Sequence, residues 1–394
     1  MHLPPSYIWQ QNDWPNFTYD KTIIMPKLES CIQAVSPLKQ LAEVLTHDQR
    51  LDWEAAILLD ETLASAKIEG ELYDRDSVRS SIVNKLGISN GVTSLTERAH
   101  KQSDAMVELL LAAIRSTDQK ITHNVIKQWH QILFPVAPII TPMIIGDYRD
   151  DTMQIISGRY GKQQIHFEAP GLARTEVIQE MDAFLNWLNT PSDESTFIRA
   201  AIAKFWFVTI HPFDDGNGRL SRIIAERCLA EAEHTNLRLF SLSSAFESHR
   251  NEYYQQLESH QRCEVKSHQR CEVESHKNVT GNNNSLDLTA WIVWFLSMVE
   301  IAAIDAKKEF ERVIQTTHFW QRHQQTIINL RQQKLIVRLL ETTDFSEGIS
   351  RKKYKALAKT TDATATRDIS DLVDKEILMP IGEGRGRRYL INKN

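Results

Sequence analysis

The alternation of apolar and polar positions is helical over most of the chain. "LDWEAAILLDETLASAKIEG" (51–70) combines helix-forming residues, a largely apolar surface and Gly70 where a C-terminal cap belongs. Further helical runs cover about 96–116, 175–189, 195–210 and 218–233. "RDSVRSSIVNKLGISNGVTSL" is interrupted by Gly and Asn. "PVAPIITPMIIGDYRDD" cannot be one helix, because its prolines remove donors and clash with preceding carbonyls. In "MQIISGRYGKQQIHF" two short β-prone runs flank a glycine-containing turn, which predicts a β-hairpin. "LTAWIVWFLSMVEIAAI" is the most apolar late stretch, but it carries Glu300 and falls short of the roughly 20 residues of a clean membrane span. It predicts a buried core helix and no membrane association.

From about 325 the pattern changes. "TIINLRQQKLIVRLLETTDFSEG", "SRKKYKALAKTT" and "DATATRDISDLVDKEIL" predict three helices, and "MPIGEGRGRRYLI" predicts a β-wing. The charge changes with it. The whole chain of 394 residues carries a net −5, whereas residues 331–394 hold 14 Lys/Arg against 9 Asp/Glu, leaving 32 against 42 upstream. That asymmetry marks a separate module, and no global field draws the protein to nucleic acid or membrane. The expected divisions are an N-terminal helical region at 1–95, a core at 96–320 and a tail domain at 321–394. Four cysteines (Cys31, Cys228, Cys263, Cys271) in this length make no disulfide framework, and "MHLPPSYIWQQNDWPNF" lacks the basic start and apolar centre of a signal peptide. The expected compartment is a reducing cytoplasm.

"SHQRCEVK" (259–266) is repeated at once as "SHQRCEVE" (267–274) and trails into "SHK". Histidines at eight-residue spacing with two cysteines resemble a metal set. A tandem duplication that extends a surface loop near 258–285 is the simpler reading.

The densest chemistry is "HPFDDGNGRLSR" (211–222), which directly follows the apolar "IRAAIAKFWFVTI". Gly-Asn-Gly permits a tight turn whose N–H groups converge, and it opens onto a helix N-terminus, where donors and dipole favour a phosphate. Arg219 and Arg222 are three apart, so their guanidinium forks share one side of the first turn. Asp215, just before the nest, can hold Mg²⁺ through oxygen while phosphates complete the shell. His211 is suited to take a proton near neutral pH, and Phe213 to anchor the loop in the core. A lone histidine or a lone Gly-Asn-Gly would read as a connecting loop. The full set at this spacing reads as a phosphate site with its own base.

This run resembles the Fic motif, HPFx(D/E)GNGRxxR, at every specified position, and the resemblance extends over about 100–305 of the chain. The resemblance implies a mainly α fold: a helical core with a β-hairpin flap, an N-terminal helical region and a C-terminal winged-helix domain. "GDYR" (146–149) is similar to the family's GxYR, and the hairpin at Ile155, Ile156, Ser157 and Gly158 to its target-docking flap. "IWQQNDWPNFTYD" is similar to the start of longer bacterial members. The implied activity is adenylyl transfer from ATP to a Ser, Thr or Tyr hydroxyl of a target protein, the enzyme itself included, with Mg²⁺ or Mn²⁺. Implied roles are His211 as general base, Asp215 as metal ligand, and Gly216, Asn217, Gly218, Arg219, Leu220, Ser221 and Arg222 around the phosphates. Tyr253 and Gln261 match the adenine-pocket pair, although the duplicated loop begins at Ser259.

"SAKIEG" fits the family's (S/T)xxxE(G/N) inhibitory motif at Ser65, Glu69 and Gly70. Ser65 and Glu69 are i and i+4 neighbours on one helix face. Taken alone they are ordinary helix-end residues. Beside the motif they imply intramolecular inhibition, with Glu69 pairing to Arg222. Two alternatives stay open: a deAMPylase using the same site, and a DNA-binding regulator built on such a core. The tail resembles a winged helix-turn-helix with Arg385, Arg387 and Arg388 on its wing, which implies DNA binding, protein docking or homodimerisation.

Overall fold

The computed structural model describes residues 7–88, 100–136, 143–157, 164–233, 238–263, 286–341, 345 and 347–392. The protein is mainly α, with two small antiparallel hairpins among the described residues. The chain divides into two compact units, Met1–Ala306 and Lys307–Asn394. The stretch expected as an N-terminal region therefore lies in one unit with the core.

The first unit is built around α7 (Thr196–Ile210), whose buried residues include all of 200–210. A helix buried on every side belongs at the centre of a core. It packs chiefly on α8 (Asn217–Glu233) and also on α6 (Arg174–Asn189), while α4 (His100–Ile114) packs on α8 and on α5 (His123–Leu133). Two N-terminal helices precede this core. The first is α1 (Lys21–Val44), which continues through Pro26 and Pro37, residues that hide it from a sequence pattern. The second is α2 (His47–Ile68), opened by a reciprocal Thr46/Gln49 capping box. α2 lies against α3 (Arg75–Leu86) and α9 (Leu242–Ser248), and α10 (Arg250–Gln261) follows. Glu61 of α2 is buried and accepts from the Ser241 hydroxyl at 2.9 Å and the Ser243 N–H at 2.8 Å, which fixes α2 to the start of α9.

The expected hairpin is present as β1 (Gln154–Ser157) and β2 (Gln164–Glu168), pairing Ile155 with Phe167 and Ile156 with Ile165 across a bulge. Its turn, with Gly158, lies outside the described residues. So does 264–285, and with it most of the duplicated loop. Trp9 Nε1 donates to the Glu168 carbonyl at 2.7 Å, and Arg262 donates to the carbonyls of His166 (2.9 Å) and Ile165 (2.8 Å). The N-terminal segment and the end of α10 thus hold β2 in place.

Among the described residues α11 (Thr289–Arg322) is long and apolar enough to cross a membrane, and 56% of its apolar window is buried inside the fold. Trp291, Ile292, Phe295 and Val299 are in the core, and Trp291 Nε1 donates to the Ala201 carbonyl of α7 at 2.8 Å. The second unit begins within α11 and continues as α12 (Leu330–Glu341), α13 (Arg351–Leu357), α14 (Asp362–Asp374), β3 (Leu378–Ile381) and β4 (Arg388–Ile391). Leu335, Ile336, Ile369, Leu372 and Ile391 are in its core. Asp368 joins its helices, accepting from Tyr354 Oη at 2.8 Å and Arg331 Nε at 2.9 Å.

Candidate active site

α7 ends at Ile210, and His211 turns the chain with φ 51° and ψ 59°, a left-handed conformation that non-glycine residues rarely adopt. Arg149, 1% exposed, holds this turn. Its Nε donates to the His211 carbonyl at 2.8 Å and Nη2 to the Ile210 carbonyl at 3.3 Å, while other donors reach the carbonyls of Asp151, Gly171 and Pro170. All five guanidinium N–H groups are thereby spent on backbone oxygen. The Arg149 N–H also donates to the Pro212 carbonyl at 2.9 Å.

The imidazole of His211 has its Nδ1 3.1 Å from the Val208 carbonyl, so Nδ1 carries the proton and Nε2 is left as the acceptor. Burial, assisted by the charge of Arg149, pushes its pKa down to about 4. The ring is neutral near pH 7.

The loop after His211 closes on itself. The Asn217 amide accepts from the Phe213 N–H at 3.0 Å and donates to the Phe213 carbonyl at 2.7 Å. Phe213 stacks on His130 of α5 with ring centres 4.0 Å apart. His130 is fully buried. Its Nδ1 accepts from the Gly146 N–H at 3.0 Å, which leaves Nε2–H for the Asp215 carbonyl at 3.3 Å. Burial pushes this pKa to about 4 as well, so the two-sided bonding persists at neutral pH. Gly216 has φ 80°, and a Cβ there would come within 2.8 Å of both Leu133 and Phe134. Only glycine fits.

Asp215 points outward, its side chain 65% exposed, and accepts from the Gly216 N–H at 2.6 Å. α8 begins at Asn217. Leu220 is in the core, its N–H already bonded to the Gly216 carbonyl at 2.9 Å, and the Ser221 hydroxyl donates to the Gly218 carbonyl at 2.8 Å. Arg219 and Arg222 are both buried, yet Arg219 Nε and Arg222 Nη1 have no hydrogen-bond partner among the described residues. Two spare cationic donors at a helix N-terminus are what an anion requires.

The remaining Arg222 donors are taken by α2 and its C-cap. Nε donates to the Ser65 hydroxyl at 3.0 Å, and Nη2 to the Ser65 carbonyl at 3.1 Å and to Glu69 Oε1 at 2.7 Å. Glu69 also covers the nest: a Cβ on Gly218 would lie 2.5 Å from its Oε1. Burial alone would raise the Glu69 pKa, but Arg222, Arg219 and Lys204 outweigh it and hold the carboxyl below its ordinary value. The pair is ionised at neutral pH.

Tyr253 is buried rather than on a helix surface. It stacks on Phe246 at 5.1 Å and Trp294 at 5.9 Å, and its hydroxyl accepts from Lys204 Nζ at 2.7 Å. Gln261 is also buried, its amide donating to Thr209 Oγ1 at 3.1 Å. The exposed aromatic is Tyr254, which donates to the Ile68 carbonyl at 3.1 Å. On the hairpin Ile156 is 48% exposed and Ile155 less so.

Four residues were missed or left without a role by sequence reasoning: Arg149, His130, Lys204 and Glu71. A lysine inside "AIAKFWFV" was the available signal for Lys204, which is wholly buried and whose pKa burial and Arg222 push well down. Glu71 pairs with Arg219 at 3.1 Å across a sequence separation of 148, which no local pattern reveals.

Residues 120–229 match the model of the Fic/DOC family. The chain carries a Fic domain. Residues 7–88 match a domain of unknown function (DUF4172), so the Fic domain is preceded by a region with its own family. The chain is similar to the protein adenylyltransferase Fic of Culex quinquefasciatus, 26% identical over 200 residues, covering 49% of this chain and 35% of that protein. It is also similar to the protein adenylyltransferase fic-1 of Caenorhabditis elegans, 43% identical over 53 residues, covering 12% of this chain and 10% of the relative. The chain thus spans about a third or less of these relatives. The fold of a Fic family protein from Desulfovibrio desulfuricans G20 is similar, with a TM-score of 0.52, 17% identity and coverage of 96% of this chain and 98% of that one. A Fic domain containing signaling protein from Bacteroides thetaiotaomicron VPI-5482 gives 0.50, 18%, 73% and 96%. The Fic domain therefore includes α5 to α8 and holds His130, Arg149, His211 and both arginines, while Ser65, Glu69 and Glu71 reach it from the preceding region.

Proposed function

We propose that the protein is an adenylyltransferase that moves AMP from ATP to a Ser, Thr or Tyr hydroxyl of a target protein, itself included, and that Glu69 restrains it. The observation that carries the proposal is a neutral His211, its Nε2 without a hydrogen-bond partner among the described residues, in the loop that leads to two buried arginines with donors to spare. The names of the curated relatives support the same chemistry.

In this reaction the acceptor hydroxyl oxygen attacks the α-phosphorus as its proton passes to His211 Nε2. The bond from the α-phosphorus to the bridging oxygen breaks, and pyrophosphate leaves. The α8 N-terminus and the spare donors of Arg219 and Arg222 stabilise the charge on the departing phosphates. Asp215 fits a Mg²⁺ or Mn²⁺ ion as a single, largely exposed oxygen ligand. Among the described residues no three His, Cys, Asp or Glu side chains form a metal cage. Such an ion supplies charge neutralisation on the phosphates. The exposed edge of the hairpin at Ile156 suits the docking of an extended target segment.

The Ser65–Glu69–Arg222 contacts support autoinhibition, because they occupy most of the donors a γ-phosphate would use. A site closed in this way also suits the reverse removal of AMP, which needs no triphosphate. The three helices and hairpin of the second unit suit a winged-helix module that binds DNA. The test of the transfer reaction uses the Glu69→Gly chain and ATP labelled separately on the α- and γ-phosphates. The proposal expects only α-label on protein, lost in His211→Ala. γ-Label on protein, or undiminished α-label in His211→Ala, would overturn it.

A further inference from the structure

Arg222 is not the only arginine of the α8 N-terminus held by a carboxylate. The guanidinium of Arg219, its side chain 5% exposed, lies over the Phe134 ring at 5.1 Å. Nη1 meets both oxygens of Glu71, at 3.1 and 3.3 Å. Glu71 is itself held, since Tyr73 Oη donates to its Oε2 at 2.8 Å. Burial and the neighbouring Glu71 charge raise the Tyr73 pKa, so the hydroxyl keeps the proton it donates. Asp215, the other carboxylate near Arg219, stands farther off at 3.8 Å and is bonded to the Gly216 N–H.

The backbone brings the two glutamates to one site. Gly70 between them has φ 82°, a left-handed turn that lets Glu69 and Glu71 both reach the start of α8. A carboxylate on a guanidinium occupies the position of a phosphate oxygen, with the same fork geometry and the same sign of charge. With Glu69 on Arg222 and Glu71 on Arg219, both cationic charges are neutralised before any nucleotide arrives.

We infer that Glu71 is a second gate on the polyphosphate, acting through Arg219 as Glu69 acts through Arg222, and that it sets the preference of the closed site between nucleoside mono- and triphosphates. The inference rests on the nucleotide site proposed above. AMP lacks the β- and γ-phosphates and does not compete with either glutamate. ATP must displace both. Removing Glu69 alone takes the carboxylate off Arg222, which keeps its Ser65 contacts, and leaves Arg219 capped.

The test is equilibrium binding of ATP and AMP, each with Mg²⁺, to the full chain carrying His211→Ala to stop turnover, with Glu69→Gly, Glu71→Gln, both together, or Tyr73→Phe added. Glu71→Gln is expected to tighten ATP about tenfold, equivalent to about 1.4 kcal/mol, with AMP affinity unchanged. Tyr73→Phe, which leaves Glu71 charged but unsupported, shifts ATP in the same direction by less and serves if the glutamine variant does not fold. The double variant binds ATP more tightly than either single one. An unchanged ATP-to-AMP ratio in Glu71→Gln and Tyr73→Phe, alongside a shifted ratio in Glu69→Gly, overturns the gate and leaves the site intact. Failure of every variant to bind either nucleotide overturns the nucleotide site itself.

Discussion

The proton-accepting nitrogen of His211 is set by a single hydrogen bond to Val208, and its backbone strain is held by Arg149. Each carries a prediction. Because burial places the His211 pKa at about 4, the base is competent above that value and is lost as pH falls through it. Transfer by the Glu69→Gly variant, in which the clamp cannot contribute, is expected to be flat from pH 8 to about 5 and to drop below about 4. A pH–rate profile with a midpoint near 6.5 would show an exposed histidine instead. Arg149→Ala leaves five backbone carbonyls without this donor, of which those of Pro170 and Ile210 are buried, at about 1–3 kcal/mol for each buried one left unpaired, so the denaturation midpoint should fall by an amount equivalent to about 2 kcal/mol or more. Gly216→Ala should unseat the loop from Leu133 and Phe134 and abolish nucleotide binding while far-UV circular dichroism stays helical. At this scale the residue types of "HPFDDGNGRLSR" were legible, because each is chemically distinctive and all lie within twelve positions. Lys204 and Glu71 were not, because their significance depends on partners distant in the chain.

Among the elements, α7 and α8 were legible from their unbroken apolar and helical runs, and the hairpin from its β-prone flanks and turn glycines. α1 was not, because Pro26 and Pro37 would each be taken as a break, whereas packing of Ile24, Leu28, Cys31, Val35 and Leu38 carries the helix through both. The clamp belongs to an element rather than a residue. Ser65 sits in the last turn of α2, where it bonds Arg222 through both hydroxyl and carbonyl. Ser65→Ala keeps the carbonyl bond and the Glu69 pair, so it should raise transfer by less than Glu69→Gly does; equal activation in an initial-rate comparison would show that the two act as one. In the second unit α13 and the start of α14 expose Arg351, Lys352, Lys353 and Arg367, and β4 exposes Arg388, which also pairs with Glu347. If this surface meets DNA, log affinity falls linearly with log salt, at a slope of about −0.9 per phosphate contacted. A salt-independent or absent interaction with duplex DNA would leave protein docking or homodimerisation as the expectation for the unit.

For the whole molecule, the division at Ala306 and Lys307 separates a unit that holds the whole candidate site from one whose expected chemistry is binding. The region at 7–88 and the Fic domain share the first unit, and Ser65, Glu69 and Glu71 are brought to α8 by the packing of α2 on α9, α3 and α8. This could be read only in part from the sequence, since "SAKIEG" was visible while the contacts of Ser65 and Glu69 with Arg222 are long-range. The central claim is that Glu69 withholds Arg222 from the triphosphate. Its most direct test is the initial rate of α-labelled AMP transfer to protein by the full chain and by Glu69→Gly, each with and without His211→Ala. A rate at least about tenfold higher in Glu69→Gly, matching some 1.4 kcal/mol of restored productive binding, and abolished by His211→Ala, is predicted. Equal rates in the wild type and Glu69→Gly would contradict it.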